Sequence, residues 1–330
     1  MKKKVLVTGA TGFTGGYLCK ALTKRGDMVR GLVLPEVDTG DLEKNGVEIC
    51  RGDLCDKDSL IPAVKDVEKI YHIAAVYREQ NIPTQRFFEV NVDGTRNLLE
   101  AAKLEGIERF IHCSTVGVQG EIENPPATEE HPYNPGDYYQ ESKMQGELLA
   151  LDFFKKQGLP GVVFRPVGIY GPGDTRFLKL FRYINKGTFR MFGSGEVLYH
   201  LTYIDDLVEG IILMGETPNI EGEVITLAGA EYTTLNELVQ IIANALEVKL
   251  SKRHFPVWPV WLAGAVCEVL CKPFKINPPI YRRRVDFFLK DRAFDITKAK
   301  SLLEYHPTVD LYTGLKRTAD WYISQGLLNK

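Results

Sequence analysis

Tyr139 and Lys143 stand four residues apart in the segment DYYQESKMQGELLALDFF. On a helix this spacing puts both side chains on one face. A free tyrosine, with a pKa of about 10, is a poor base at neutral pH, but an adjacent ammonium favours the phenolate. The phenol then becomes a usable general acid or base. A Tyr and a Lys at this spacing arise about once by chance in a chain of ordinary composition and this length, so the pair needs support from elsewhere. That support is FIHCSTVGVQG, a strand-like run ending in two hydroxyls, Ser114 and Thr115. A hydroxyl at the carboxyl end of a strand lies where ligands bind in open α/β sheets, and there it can hydrogen-bond a substrate oxygen beside the tyrosine. Strand-end capping is the plainer use of the same residues.

A second chemical feature opens the chain. TGATGFTG places Gly9, Gly12 and Gly15, with Thr11 and Phe13 between them, directly after the strand-like run Val5 to Val7 and at the mouth of a helical pattern. Such a turn needs a residue free to take positive φ, a close approach of backbone to a pyrophosphate and tight packing of helix on strand. The N–H groups at the helix start then face the phosphates. An ordinary tight turn would use the same glycines, but this position in a strand–turn–helix unit points to dinucleotide binding. The second strand ends in Gly31-Leu32-Val33-Leu34-Pro35, with neither the acid that holds the ribose of NAD nor an Arg for the 2′-phosphate of NADP. The missing Arg inclines the reading to NAD, with Glu36 or Asp38 supplying an acid from the loop.

The elements that must position these groups alternate. Strand-like runs near 28–34, 47–50, 69–73, 109–113 and 161–165 have helix-length segments between most of them, which predicts a mostly parallel sheet covered on both faces. After Arg165 the rhythm breaks into Gly- and Pro-rich loops, followed by a helix near 205–214, a strand near 224–227 and a helix near 234–246. The expected architecture is α/β: a Rossmann-type doubly wound sheet from residues 1–167 plus about 202–228. A smaller, discontinuous substrate lobe takes about 168–201 and 229–330. At 330 residues the chain suits two packed lobes better than one small core. Its 41 Lys and Arg against 43 Asp and Glu provide no basic field for nucleic acid. Six cysteines show no C-x-x-C pair and no secreted-scaffold density, so reduced thiols in a cytoplasmic protein are expected, and no metal site. The N-terminus has no apolar core of a signal peptide.

Taken together, these segments resemble the extended short-chain dehydrogenases/reductases, the group of epimerases, dehydratases, 3β-hydroxysteroid dehydrogenases and dihydroflavonol reductases. The matching motifs run over nearly the whole length: TGATGFTG, GDLCD, IYHIAA, NVDGTRNLLEAA, CSTVGVQG, YQESK, RPVGIYGPGD and YIDDLVEG. The resemblance implies that Asp53 binds the adenine amino group, with Leu54 beside it, and that Ala74 and Ala75 line the adenine-ribose path. It implies that Asn91 supports the active-site loop and that Pro166 borders the nicotinamide. Thr115, in place of the more usual Ser, takes the hydroxyl role, and Tyr139 and Lys143 complete the triad, Lys143 also holding the nicotinamide ribose. Two departures bear on substrate. Nucleotide-sugar members usually carry Asn where Gly168 stands, and an Arg shortly before the DDL helix, where this chain has Tyr199 and His200.

The expected activity is therefore an NAD- or NADP-dependent interconversion of a secondary alcohol and a ketone on a small or apolar substrate. A nucleotide-sugar epimerase or dehydratase is one alternative, which the basic run Arg282, Arg283 and Arg284 keeps open; a non-catalytic dinucleotide sensor or scaffold is another. A homodimer is expected through the helices of NVDGTRNLLEAAK and YQESKMQGELLAL. Near the C-terminus, Trp258, Trp261, Leu262, Val266, Val269 and Leu270 recur at near-helical spacing between Pro256, Pro259 and Pro273. This stripe falls short of the ~20 apolar residues of a membrane span. Either it packs against the main lobe or it lids a pocket for an apolar substrate, and contact with a membrane surface stays open to it.

Overall fold

The computed structural model describes residues 3–77, 82–251, 253–271 and 282–329. Pro273 lies outside that set, and so do the side chains of Val269 and of Arg282, Arg283 and Arg284. Six strands follow one another through the first half: β1 (Lys4–Thr8), β2 (Met28–Val33), β3 (Glu48–Arg51), β4 (Lys69–His72), β5 (Arg109–Cys113) and β6 (Gly161–Pro166). With the later strand Val224–Leu227 they form a seven-stranded sheet, in the order Val224–Leu227, β6, β5, β4, β1, β2, β3. Every pairing is parallel.

The strands are apolar on both faces because both are covered. Val5 and Val7 of β1 join one core and Leu6 the other, following the twofold alternation of a strand. One face carries helix α1 (Phe13–Arg25) and the helix Ile204–Glu216. The other carries Lys57–Val64, Thr95–Glu105 and Tyr138–Lys156. Arg30, charged yet buried in β2, is accommodated by pairing with Glu48 and donating to the carbonyls of Pro62, Ala63 and Lys65, so it caps the end of the Lys57–Val64 helix.

The segment VITLAG returns to the main sheet as its last strand, beside β6. HLTY does not: Leu198–Tyr203 joins Gly168–Tyr170 and Tyr232–Thr234 in a separate three-stranded sheet. The following helix is anchored by Asp206, which accepts from the backbone N–H groups of Thr308 and Val309 and the hydroxyl of Thr308. The helix Trp258–Cys271 sits on the 3₁₀ turn Arg282–Phe288, whose Phe288 meets the Phe192 ring edge-on. Its stripe is not core. Trp258 is 68% exposed, Trp261 46% and Leu270 63%.

Candidate active site

The glycine turn is shaped by contacts that exclude side chains. Gly9 has φ +69°, and a Cβ there would lie 2.9 Å from the backbone of Ala74; a Cβ on Gly15 would meet the Gly9 carbonyl at 2.1 Å. Those approaches hold the ends of β1 and β4 and the start of α1 together. Gly12 precedes α1 without a capping side chain, so none occupies its first-turn N–H groups, and Thr11 and Gly12 are exposed at the tip. Phe13 turns inward against Tyr17, under the Arg176 guanidinium and beside Gly173. The Tyr17 hydroxyl donates to the Pro172 carbonyl, so the RPVGIYGPGD loop is tied down over the turn. A pocket beside it is lined by Ala10, Thr11, Gly16, Tyr17 and Lys20, together with the carboxylates Asp38 and Asp41. This cradle fits a dinucleotide: the exposed tip at Thr11 and Gly12 leaves backbone N–H groups open to a pyrophosphate, and Gly9 and Gly15 leave no room for a side chain.

The remaining sequence-predicted contacts are spread along the same edge. Asp53 accepts from the Cys55 N–H and lies 3.6 Å from Arg86, while Leu54 is buried beneath Gly94. Ala74 donates its N–H to the Thr8 hydroxyl, and Ala75 next to it is exposed. Pro166 is buried at the end of β6.

Asn91 lies in a π-helical turn, Glu89–Gly94, that sequence periodicity does not reveal. Its side chain brackets Val76, accepting from the N–H and donating to the C=O, and also donates to Ser142 at 2.9 Å. Ser142 in turn donates to the Tyr139 carbonyl. Behind Asn91 runs an ordered chain. Thr8 Oγ1 accepts from the N–H groups of Ile73 and Ala74, so its hydrogen goes to His72 Nδ1. His72 Nε2–H then donates to Thr95 Oγ1, and Thr95 to the Asn91 carbonyl. This chain requires a neutral imidazole, and burial, with Lys143 nearby, pushes the His72 pKa down to about 3. Residues of β1, β4 and the π-turn are thereby locked to the loop carrying Ala74 to Tyr77.

Tyr139 and Lys143 lie on the helix Tyr138–Lys156, whose start is set by Asp137. That carboxylate accepts from the Gln140 N–H, and Gln140 Oε1 reaches back to the Gly136 N–H. The Tyr139 ring meets Tyr77 edge-on, with centroids 5.0 Å apart. Lys143 is buried and donates to the Cys113 carbonyl at 2.5 Å, the last residue of β5. Burial lowers its pKa, while Cys113 and Glu147 oppose that shift.

The two hydroxyls after β5 part company. Ser114 is buried and donates to Glu147. Thr115 is half-buried and accepts from the Gly117 N–H at 3.1 Å, so its own hydrogen remains to be donated. Geometry therefore separates two residues the sequence left side by side.

Beneath the helix lies a cluster that sequence reading missed. Glu147, fully buried, receives a two-pronged guanidinium contact from Arg165, at 2.6 and 3.1 Å, along with the hydroxyls of Ser114 and Tyr133. Arg165 also stacks on the Tyr133 ring and donates to the Glu129 carbonyl. Burial and the neighbouring carboxylate push the Tyr133 pKa up to about 12. A charged residue inside the apolar strand run GVVFRP was the available clue, since a buried guanidinium demands an acid.

A parallel doubly wound sheet, a glycine cradle at its first switch point and a Tyr/Lys helix against a strand-end hydroxyl define a nicotinamide-dependent enzyme of the extended short-chain dehydrogenase/reductase class. The model of the NAD dependent epimerase/dehydratase family matches residues 5–228, and the chain belongs to that family. It is 29% identical to the mouse (Mus musculus) sterol-4-alpha-carboxylate 3-dehydrogenase, decarboxylating, over 96% of this chain and 90% of the relative. It is 28% identical to the N-acetyl-alpha-D-glucosaminyl-diphospho-ditrans,octacis-undecaprenol 4-epimerase of Escherichia coli O157:H7, over 97% and 96%. Among solved structures, the UDP-glucuronic acid 4-epimerase from Bacillus cereus in complex with NAD matches with a TM-score of 0.76 and 28% identity, covering 98% of this chain and 100% of that one.

Proposed function

We propose that the enzyme interconverts a secondary alcohol and a ketone on an apolar substrate, with NAD as its redox partner. The observation that carries this reading is the strand Leu198–Tyr203. Where nucleotide-sugar members hold a diphosphate with Arg, this chain presents Tyr199 and His200, and both are committed inward. Tyr199 donates to the Phe287 carbonyl and accepts from Arg292. His200 donates from Nε2 to the Gly229 carbonyl and accepts the Phe294 N–H at Nδ1, and burial lowers its pKa. A Cβ at Gly168 would come within 2.7 Å of Leu201, so an Asn there would have to displace that side chain. The mouse relative, named for a sterol, favours the same substrate class.

Bound at the glycine cradle, NAD supplies the acceptor or donor of a hydride. In the oxidising direction Tyr139 takes the proton from the substrate hydroxyl; in the reducing direction it returns one to the carbonyl oxygen. Lys143 keeps the phenolate accessible through its ammonium charge. Thr115 donates its remaining hydrogen to the same substrate oxygen. Asp53, Leu54, Ala74 and Ala75 line the path of the adenosine half, and Pro166 borders the nicotinamide.

A nucleotide-sugar epimerase is the second reading, favoured by the likeness to the Bacillus cereus enzyme. Incubation with NAD and either 3-hydroxysterols or UDP-sugars separates the two. Growth of reduced-nicotinamide absorbance with the sterols supports the dehydrogenase; conversion of a UDP-sugar without net absorbance change overturns it.

We also propose a homodimer. The helices Thr95–Glu105 and Tyr138–Lys156 pack side by side, leaving Leu104 and Leu148 exposed. A monomer in light scattering at micromolar concentration would count against it.

A further inference from the structure

The helix Trp258–Cys271 is apolar around its whole circumference, with Glu268 its single charged residue. Helices of that composition belong in a protein core or in lipid. This one has its inner side on the 3₁₀ turn Arg282–Phe288, yet Trp258, Trp261, Leu262, Val266 and Leu270 all stay between 46% and 68% exposed. At 14 residues it is about 21 Å long, too short to cross a hydrocarbon layer of about 30 Å. Among the described residues no helix is long and apolar enough to do so.

Charge says what covers this face. Residues 249–284 carry eight Lys and Arg against one acid, Glu268, in a chain whose overall charge is −2. Lys249 and Arg253, just before the helix, are both exposed. A second copy would set this basic segment against itself, and an apolar small molecule would leave its charge unanswered. An anionic bilayer surface answers both features: acyl chains receive the apolar side chains, headgroups pair with the exposed Lys249 and Arg253, and the two tryptophans sit at the boundary where their amphipathic rings are favoured.

We propose that the Trp258–Cys271 helix is an in-plane membrane anchor that docks this enzyme on anionic lipid. The proposal stands on this segment alone and holds whatever the substrate of the active site.

Flotation of the full-length protein with vesicles tests it, comparing phosphatidylcholine alone with phosphatidylcholine containing about 30 mol % phosphatidylglycerol. The protein should float with the anionic vesicles, with a blue shift of tryptophan emission, and detach as salt is raised. Trp258→Ser with Trp261→Ser should abolish flotation with the melting temperature retained, since both side chains are exposed. Lys249→Glu with Arg253→Glu should weaken it about 25-fold or more, each lost cation counting about fivefold. Failure of the folded protein to float, equal binding to neutral vesicles, or flotation unchanged in the double tryptophan variant would each overturn the proposal. So would self-association that the tryptophan changes abolish in the absence of vesicle binding, which would assign the face to a second copy.

Discussion

The floor beneath Tyr139 and the helix Trp258–Cys271 are opposite solutions to the placement of difficult side chains. In the floor, charged and polar groups are buried and paired within the fold: Arg165 with Glu147, Ser114 with Glu147, His72 with Thr8 and Thr95, while His112 alone among these is left without a partner among the described residues. On the helix, apolar groups such as Trp258 and Leu270 stay largely exposed. The contrast teaches where rigidity is required. The proton transfer proposed for Tyr139 and Lys143 needs both side chains held to a fraction of an ångström, which a hydrogen-bonded polar network provides; a surface contact needs area and charge and tolerates imprecision.

Five substitutions break or sharpen that contrast. The largest effect is expected at Tyr139→Phe, which should lower turnover by about 10²- to 10⁴-fold while leaving NAD binding, followed by thermal shift, nearly intact. Retention of more than a few per cent of activity would remove the tyrosine from the chemistry. Lys143→Met should weaken NAD binding as well, because one side chain serves both tasks.

Arg165→Met strands the buried Glu147 carboxylate. Urea unfolding should show a loss of about 3–5 kcal/mol, and a loss below about 1 kcal/mol would mean that water reaches the floor.

Acid should act through the buried imidazoles. His72 has its pKa depressed to about 3, and His112, whose ring nitrogens find no partner among the described residues, is held well below the usual imidazole range by burial, Lys143 and His72. The unfolded chain takes up protons below about pH 6.5 while the folded one does not, so stability is full above that pH and falls as pH drops. Each histidine contributes a slope of about 1.4 kcal/mol per pH unit. His112→Leu should remove its share of the slope between pH 6.5 and 4.5; an unchanged slope would place the acid sensitivity elsewhere.

The smallest effect belongs to the exposed helix. Trp258→Ala should change unfolding free energy by no more than about 0.5 kcal/mol, whereas a cost of about 3–5 kcal/mol would show the ring to be core after all.

The sequence made the strands of the main sheet legible because fully buried parallel strands are written as short apolar runs, and Arg109–Cys113 and Val224–Leu227 fall where those runs lie. Tyr139, Lys143 and the glycine turn stood out because the chemistry proposed for them depends on local spacing. The floor was not. Tyr133, Glu147 and Arg165 come from a loop, a helix and a strand, and no periodicity links residues whose partnership arises only when the helix crosses the sheet. Asn91 was found by resemblance, but its π-turn leaves no local pattern. Ser114 and Thr115 are indistinguishable by type and are parted only by which of them faces Glu147. At Trp258 the failure is of another kind: helical spacing says that a face exists and cannot say what lies opposite it.

The pairing of Arg165 with Glu147 also constrains how this protein changes over generations. Loss of either partner alone leaves a buried charge unmatched, while joint replacement by apolar residues of similar volume is often neutral or stabilising. The two positions, eighteen residues apart in the chain, are separated from their apolar alternative by a valley that no single step crosses cheaply. Descendants of this sequence should therefore keep both residues or exchange both together, and a lineage found with only one of them should carry a compensating change at Tyr133, Ser114 or Glu129.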